Sequence, residues 1–291
     1  MKNQQALWSA HIAVFFMGIA GVLGGASGFE PWRSTSYRVT FGGVLLLLWA
    51  IALKKKFPNW RLTLKCLALG VALGIHWFAF FQSIDYLGVL LGSALIGLEP
   101  LIIALFAAVL LKEKLPQRYK VGLTISLAGF LVFGIQAGFG QSRLWQGCGW
   151  AVFSYAVFAL FVLANRVWVQ NQSAITISAL EMLGAIPLTW IMTPGPWLPA
   201  HPQAWLYAVG LGVFCTGIAY ALYNSSMKVL TASIAGVLLS LEVVYGVLGG
   251  LVLGDRISPS TLFAVVLISN LLFVDLIANQ YLKRRLRQQG T

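Results

Sequence analysis

The chain has 291 residues, of which 59% are hydrophobic and only 10% are charged, and its formal net charge is +12. Soluble domains typically carry about 25% charged residues, so this composition excludes a soluble globular protein. The lysines and arginines fall mainly in short segments between apolar runs, which excludes a free basic domain for nucleic acid. The composition therefore predicts a polytopic helical membrane protein.

Ten apolar runs along the chain each approach the roughly 20 residues that a helix needs to cross the hydrocarbon core of a bilayer. The connections between them are short, so we expect no separate domain outside the membrane. The predicted spans fall at 7–27, 37–53, 64–84, 87–111, 119–138, 145–167, 175–193, 204–225, 233–253 and 260–279.

The positions of the cations indicate how these spans are oriented. Lysine and arginine are concentrated in the segments 54–65 and 112–120 and in the C-terminal KRRLR. Cytoplasmic loops of membrane proteins carry an excess of these residues, so the bias places both termini in the cytoplasm. We therefore expect a multi-pass protein of the inner (cytoplasmic) membrane.

Sliding the chain on itself until Glu99 falls on Glu242 reveals an internal repeat. Under the same repeat shift other positions coincide: Arg38 with Glu181, Gly74 with Gly217, Trp77 with Tyr220, and Pro116 with Pro259. Five spans per half is an odd number, so the second half enters the membrane from the opposite side. We predict an all-α polytopic membrane protein whose ten transmembrane helices form two inverted five-helix repeats, residues 1–140 and 141–291.

Two stretches of the chain carry the signature of a known family. The first is FFQSIDYLGVLLGSALIGLEPLIIALFAAVLLKEKLP, with Glu99-Pro100 and Glu113, and the second is AYALYNSSMKVLTASIAGVLLSLEVVYGVLGGLVLGDRISP, with Glu242 and Asp255 but no proline after the glutamate. Both resemble the fourth-span signature of EamA-type members of the drug/metabolite transporter superfamily. The resemblance implies two EamA-like repeats around a central cavity and movement of small metabolites across the cytoplasmic membrane. Many relatives resemble exporters of amino acids.

Glu99 and Glu242 are the first candidates for a substrate or proton site. A carboxylate in the middle of a bilayer is costly unless it faces a cavity, a partner or a proton, so both residues suggest function. The structural alternative involves Pro100, a candidate helix kink, which frees a backbone carbonyl that a protonated glutamate could satisfy.

Three other ionisable residues and three aromatic residues are weaker candidates. His76 could relay a proton or contact substrate, or it could be a neutral imidazole bonded to a neighbouring helix. Arg38 could bind a substrate carboxylate and fits the family's habit of an arginine near the start of the second span, but we favour a place at the outer interface, reaching lipid phosphates. Glu181 could face the cavity from roughly two turns inside the cytoplasmic end. The aromatic candidates for lining a pocket are Trp77, Tyr220 and Tyr223.

The pattern as a whole predicts a secondary transporter, not an enzyme, that exports a small amphipathic metabolite such as an amino acid by alternating access. Proton exchange through Glu99, Glu242 or His76 is the coupling route we favour, with uniport as the alternative. Other hypotheses are small-multidrug-type efflux of lipophilic cations and a lipid-flippase-like membrane protein. The sequence has no GxxxxGK[ST] phosphate loop, which argues against an ATP-driven pump. We expect a small-molecule substrate, the lipid bilayer and protons as partners, no cofactor, metal or nucleic acid, and a monomer or homodimer.

Overall fold

The computed structural model describes residues 2–112, 117–137, 141–168, 172–199, 201–226, 238 and 241–268. Within these ranges the chain is helical and has no strand. The elements are α1 (Lys2–Gly18), α2 (Ala20–Ser27), α3 (Pro31–Ala52), α4 (Trp60–Ala94), a 3-10 helix (Leu95–Leu98), α5 (Glu99–Leu110), α6 (Gln117–Ala137), α7 (Ser142–Trp168), α8 (Ala174–Met192), α9 (Pro202–Val209), a π-helix (Gly210–Ile218), α10 (Ala219–Ser226), α11 (Leu241–Val252) and α12 (Pro259–Ile268).

Six helical stretches of the described residues are long and apolar enough to cross a membrane. They are Gln4–Ser27, Pro31–Ala52, Trp60–Leu110, Ser142–Asn165, Ala174–Met192 and Pro202–Tyr223. The predicted fifth span coincides with α6, while α11 and α12 cover the described parts of the ninth and tenth. Glu113 and Pro116 lie outside the described residues.

The third and fourth predicted spans form a tight hairpin that turns at Gly88. This residue has φ 79° and ψ 167°, a backbone conformation that favours glycine. A Cβ added to Gly92 would lie 3.2 Å from Cα of Ile84. Eight residues of straight helix rise about 12 Å, so the chain must reverse between these two positions. The Asp255 carboxylate holds the turn from the other half of the chain, because its Oδ2 accepts the Leu90 N–H at 2.8 Å.

The second span begins earlier than the sequence predicts. Helix α3 starts at Pro31, where a proline suits the first helical turn because its missing N–H needs no partner there. The Glu30 carboxylate caps the helix by accepting the N–H groups of Trp32 and Arg33 at 3.1 and 3.2 Å. Our boundary at residue 37 was wrong, since polar residues that we assigned to a loop are helical. Arg38 therefore lies roughly two turns inside the helix.

Segments that we predict on the same side of the membrane contact one another. On the predicted outer side, Arg33 Nη2 donates to the Pro194 carbonyl at 2.7 Å. On the predicted inner side, the ammonium group of Lys65 lies 4.9 Å from the ring centroid of Trp168. These contacts bring together the ends of the second and seventh spans, and the ends of the third and sixth spans.

The helix contacts follow a regular pattern when each span is replaced by the one five places along the chain. Spans two and seven pack together as α3 and α8, and spans five and ten as α6 and α12. Span three packs on span six as α4 on α7, and span eight packs on span one as α10 on α1. Span three also contacts span seven through α8, and span eight contacts span two through the π-helix and α3. When each span is replaced in this way, every contact named here becomes a contact that is also present, and the contacts of spans two and seven and of spans five and ten are unchanged.

Two of the matching contacts depend on glycine. Where α3 meets the π-helix, a Cβ on Gly42 would lie 2.7 Å from Thr216 Cγ2 and 3.0 Å from the Gly212 carbonyl oxygen. Where α4 meets α8, a Cβ on Gly70 would overlap the backbone carbonyl of Glu181. Small residues at these crossings let the helix backbones approach closely, as in many membrane bundles.

Candidate substrate site

Arg38 lies inside the helix bundle, with 4% of its surface exposed. Its Nε donates to Thr216 Oγ1 at 2.9 Å, and its guanidinium carbon lies 4.3 Å from the ring centroid of Trp77. The other two guanidinium nitrogens have no hydrogen-bond partner among the described residues. Our preference for a side chain that reaches lipid phosphates was wrong, because α3 turns this side chain towards the π-helix and α4.

The π-helix explains why Thr216 can accept this bond. Thr216 Oγ1 donates to the carbonyl of Leu211, five residues earlier, at 2.9 Å. This bond uses the hydroxyl proton and leaves the oxygen lone pairs for Arg38. Sequence reasoning missed Thr216, and the signal that could have found it is a threonine among the glycines of GLGVFCTGI in the middle of a predicted span.

Two aromatic candidates from opposite halves of the chain contact each other beside Arg38. The rings of Trp77 and Tyr220 meet edge to face, with centroids 6.1 Å apart. Trp77 is 3% exposed and lies between Tyr220 and the guanidinium group of Arg38. The repeat shift places these two aromatic positions on each other, so a predicted pair of equivalent residues lies together in the fold.

Glu99 and Glu242 are both partly buried. Glu99 begins α5 and Glu242 is the second residue of α11. The two carboxylates are close enough to interact electrostatically with each other, and Glu242 also interacts with Arg38. No ion pair joins Arg38 to Glu242 in the described part of the chain. The 3-10 helix ends at Leu98 and α5 begins at Glu99, so the helical geometry changes one residue before Pro100.

Two tyrosines complete this group of polar and charged residues. We call the group the central cluster, and its members are Arg38, Glu99, Glu242, Tyr155 and Tyr223. Both tyrosines interact electrostatically with the two glutamates. Tyr155 is fully buried, and its hydroxyl has no partner among the described residues. The cluster draws on both halves of the chain and combines hydrogen-bond donors with carboxylate acceptors.

His76 joins two helices beside the central cluster. Its Nδ1 lies 2.8 Å from Ser154 Oγ and 3.0 Å from the Ser154 carbonyl, and Ser154 Oγ also lies 2.9 Å from the His76 carbonyl. The imidazole stacks on Phe158 with centroids 4.6 Å apart. The structure therefore has the bond to a neighbouring helix that we gave as the alternative to a proton relay.

Comparison with known proteins decides the family. The sequence model of the EamA-like transporter family matches residues 4–135 and, a second time, residues 145–270. The chain belongs to the EamA-like transporter family. With its apolar helices, it is therefore a multi-pass membrane protein of a transporter family.

Individual EamA-like relatives cover most of the chain at low identity. The uncharacterized transporter YxxF of Bacillus subtilis (strain 168) is 26% identical over 243 residues, which are 79% of this chain and 78% of the relative. The threonine/homoserine exporter RhtA of Escherichia coli (strain K12) is 24% identical over 274 residues, 87% of each chain. A solved crystal structure shares the fold with a TM-score of 0.67, covering 96% of this chain and 99% of its own at 20% identity.

Glu181 of this EamA-like protein lies apart from the central cluster. It is 2% exposed and lines a separate cavity together with Tyr220. Asn165 of α7 lines the same cavity. Among the described residues no three of His, Cys, Asp and Glu come together to hold a metal ion.

Proposed function

We propose that this EamA-like protein is a secondary transporter that exports a small amphipathic metabolite, of the amino-acid class, across the cytoplasmic membrane. Two inverted repeats, residues 1–140 and 141–291, would alternate access to the central cluster. The double family match and the matched helix contacts support this arrangement. The clusters of lysine and arginine in the segments 54–65 and 112–120 and in the C-terminal KRRLR support cytoplasmic termini, because cytoplasmic loops carry an excess of these residues.

The observation that carries the proposal is the buried charge distribution of the central cluster. Arg38 offers N–H donors that have no partner within the described ranges, and they suit a carboxylate, which accepts two parallel hydrogen bonds from a guanidinium group. Glu99 and Glu242 offer acceptors that suit an ammonium group. An amino-acid zwitterion carries both groups, so it would satisfy charges that otherwise remain costly inside a bilayer.

The charge of Arg38 also discriminates between the competing transport hypotheses. A guanidinium group is protonated at any physiological pH and repels a lipophilic cation that approaches the same glutamates. This repulsion disfavours efflux of lipophilic cations through the central cluster. The relative RhtA is named a threonine/homoserine exporter, which supports the amino-acid class.

Proton exchange at Glu99 and Glu242 is the coupling step we propose. Two carboxylates inside a bilayer are least costly when they do not both carry a charge, which favours a state in which the pair holds a single proton. Binding of a substrate ammonium group in this site would displace that proton, and its departure would allow the proton to return.

Transport by purified protein in liposomes tests the proposal. We expect an imposed pH gradient to drive uptake of radiolabelled threonine, and Arg38→Gln to reduce the rate by about 100-fold because a buried charged contact is lost. Arg143→Gln is the matched control, since Arg143 bonds the backbone carbonyl of Asp85 at an exposed site. It should transport at the rate of the unchanged protein.

Three results separate the parts of this proposal. Equal transport by Arg38→Gln and by the unchanged protein would overturn the role of the central cluster. Transport that ignores the pH gradient, with no effect of Glu99→Gln or Glu242→Gln, would overturn the proton coupling. Uptake of a quaternary ammonium dye in place of threonine would favour the lipophilic-cation hypothesis.

A further inference from the structure

A second cavity lies between α7, α8 and α10, towards the predicted cytoplasmic side. Its volume is about 280 Å³, and Phe161, Asn165, Gln172, Ile177, Glu181 and Tyr220 line it. This volume is smaller than a typical drug-sized pocket and suits a small organic group.

Two buried oxygen atoms in this cavity lack hydrogen-bond partners. Glu181 is 2% exposed, and its Oε1 has no partner among the described residues. Asn165, on α7, lines the same cavity, and its carbonyl oxygen Oδ1 also has no partner within the described ranges.

Unsatisfied acceptors of this kind select the chemistry of a ligand. A buried carboxylate oxygen without a partner destabilises a fold, so a ligand that brings hydrogen-bond donors and positive charge is strongly favoured there. The rings of Tyr220 and Phe161 line the same cavity. Aromatic faces attract cations, whereas they offer nothing to a carboxylate.

The cavity is separate from the central cluster, because no residue of the central cluster lines it. Tyr220, which lines the cavity, contacts the ring of Trp77, and Trp77 in turn lies beside the guanidinium group of Arg38. The Trp77–Tyr220 pair lies between Arg38 and the cavity of Glu181. The carboxylate and ammonium groups of one small zwitterion are only about 3 Å apart, so one such molecule is too short to bind Arg38 and Glu181 together.

We propose that this cavity is a binding site for a primary alkylammonium group. Glu181 Oε1 and Asn165 Oδ1 accept two of its N–H bonds, and Tyr220 and Phe161 surround the charge. The site differs from the central cluster in needing no carboxylate on its ligand. It does not depend on transport, so it can stand even if the transport proposal fails.

Titration of the purified full-length protein in detergent with propylamine tests the site. We expect calorimetric binding, and a rise in the thermal unfolding midpoint, at concentrations where sodium chloride and propanoate have no effect. Glu181→Gln and Asn165→Leu should each weaken binding about tenfold, because each removes an acceptor of a charged group. Glu181→Asp keeps the carboxylate and its charge but shortens the side chain by one methylene group, and it should bind propylamine with intermediate affinity.

Asp85→Asn is the matched control, since it neutralises an exposed carboxylate that lines a different cavity. It should bind propylamine as the unchanged protein does. Propylamine affinity that survives in both Glu181→Gln and Asn165→Leu would overturn the site. Equal stabilisation by sodium chloride would also overturn it, because the site would then accept a bare cation. A Glu181→Gln protein that fails to fold leaves Asn165→Leu and Glu181→Asp to decide.

Discussion

The two halves of the chain carry opposite charges at positions that the repeat shift pairs. The repeat shift pairs Arg38 with Glu181. Arg38 lies beside the ring of Trp77, and Glu181 lines a cavity with Tyr220. The repeat shift pairs these two aromatic residues as well. The two rings touch, so the cationic and anionic positions flank a shared aromatic centre. Positions that the repeat shift pairs therefore differ in charge while the aromatic residues beside them lie in contact.

The partners of the two charged residues differ. Arg38 is held by the hydroxyl of Thr216, whereas the position that the repeat shift pairs with Thr216 is the fully buried Leu73. Glu181 therefore has no equivalent hydroxyl. Within the described residues, Arg38 keeps N–H donors without a partner, and Glu181 keeps an acceptor oxygen without a partner.

The largest effect should come from the crossing beneath Glu181. Gly70→Ala places a methyl group on the Glu181 backbone carbonyl, which cannot move without shifting α8, so we expect a loss of about 1–3 kcal/mol in unfolding free energy. Gly42→Ala meets mainly a side chain, Thr216, and should cost less. Thermal unfolding in detergent measures both.

Gly149→Ala is the control for these two variants. A Cβ at Gly149 meets nothing within 4 Å, and alanine favours a helix over glycine, so its stability should be equal or higher. If all three variants unfold alike, the two crossings do not depend on glycine.

A smaller effect should follow from removing the hydroxyl that holds Arg38. Thr216→Val keeps the side-chain shape but removes the acceptor of Arg38 Nε, and we expect affinity for propanoate to fall about tenfold, because bonds to charged groups contribute more than neutral ones. Calorimetry on the purified protein measures this. Thr189→Val is the control, since the Thr189 hydroxyl bonds only within its own helix, to the Ile186 carbonyl. Equal weakening by both variants would count against the placement of Arg38.

The smallest effect should come from the aromatic centre. Trp77→Phe keeps a ring beneath the guanidinium group but reduces its negative face, so propanoate affinity should fall about two- to threefold. Propylamine affinity should not change, because Trp77 does not line the Glu181 cavity. The same calorimetric titrations test both statements. If Trp77→Phe lost affinity for propylamine but not for propanoate, our assignment of propanoate to Arg38 and propylamine to Glu181 would be wrong.

Much of the fold follows from patterns that a single sequence contains. The apolar runs predict the helices of the described residues, and the family signature around Glu99 predicts the transporter family. The repeat shift also pairs Trp77 with Tyr220 before any contact between them is known. The hairpin at Gly88 agrees with our separation of the third and fourth spans, since the glycine lies where the two apolar runs meet.

The site was harder to predict because it depends on which way side chains face. From the sequence, we expect Arg38 at the membrane interface because the apolar run begins at about residue 37. In the structure the helix begins at Pro31, after the cap at Glu30, so Arg38 lies inside it. The apolar run GLGVFCTGI gives no sign that it forms a π-helix, in which Thr216 accepts a hydrogen bond from Arg38. His76 gives no sign in the sequence that Ser154, far along the chain, will bond to it.

Paired titrations test the central claim, opposite chemistry at equivalent positions, most directly. Propanoate and propylamine share a three-carbon chain and carry opposite charges, so each can be titrated calorimetrically into the unchanged protein, Arg38→Gln and Glu181→Gln. We predict that Arg38→Gln loses affinity for propanoate and keeps it for propylamine, while Glu181→Gln shows the reverse. Loss of both ligands in one variant, or of neither in both, would contradict the account.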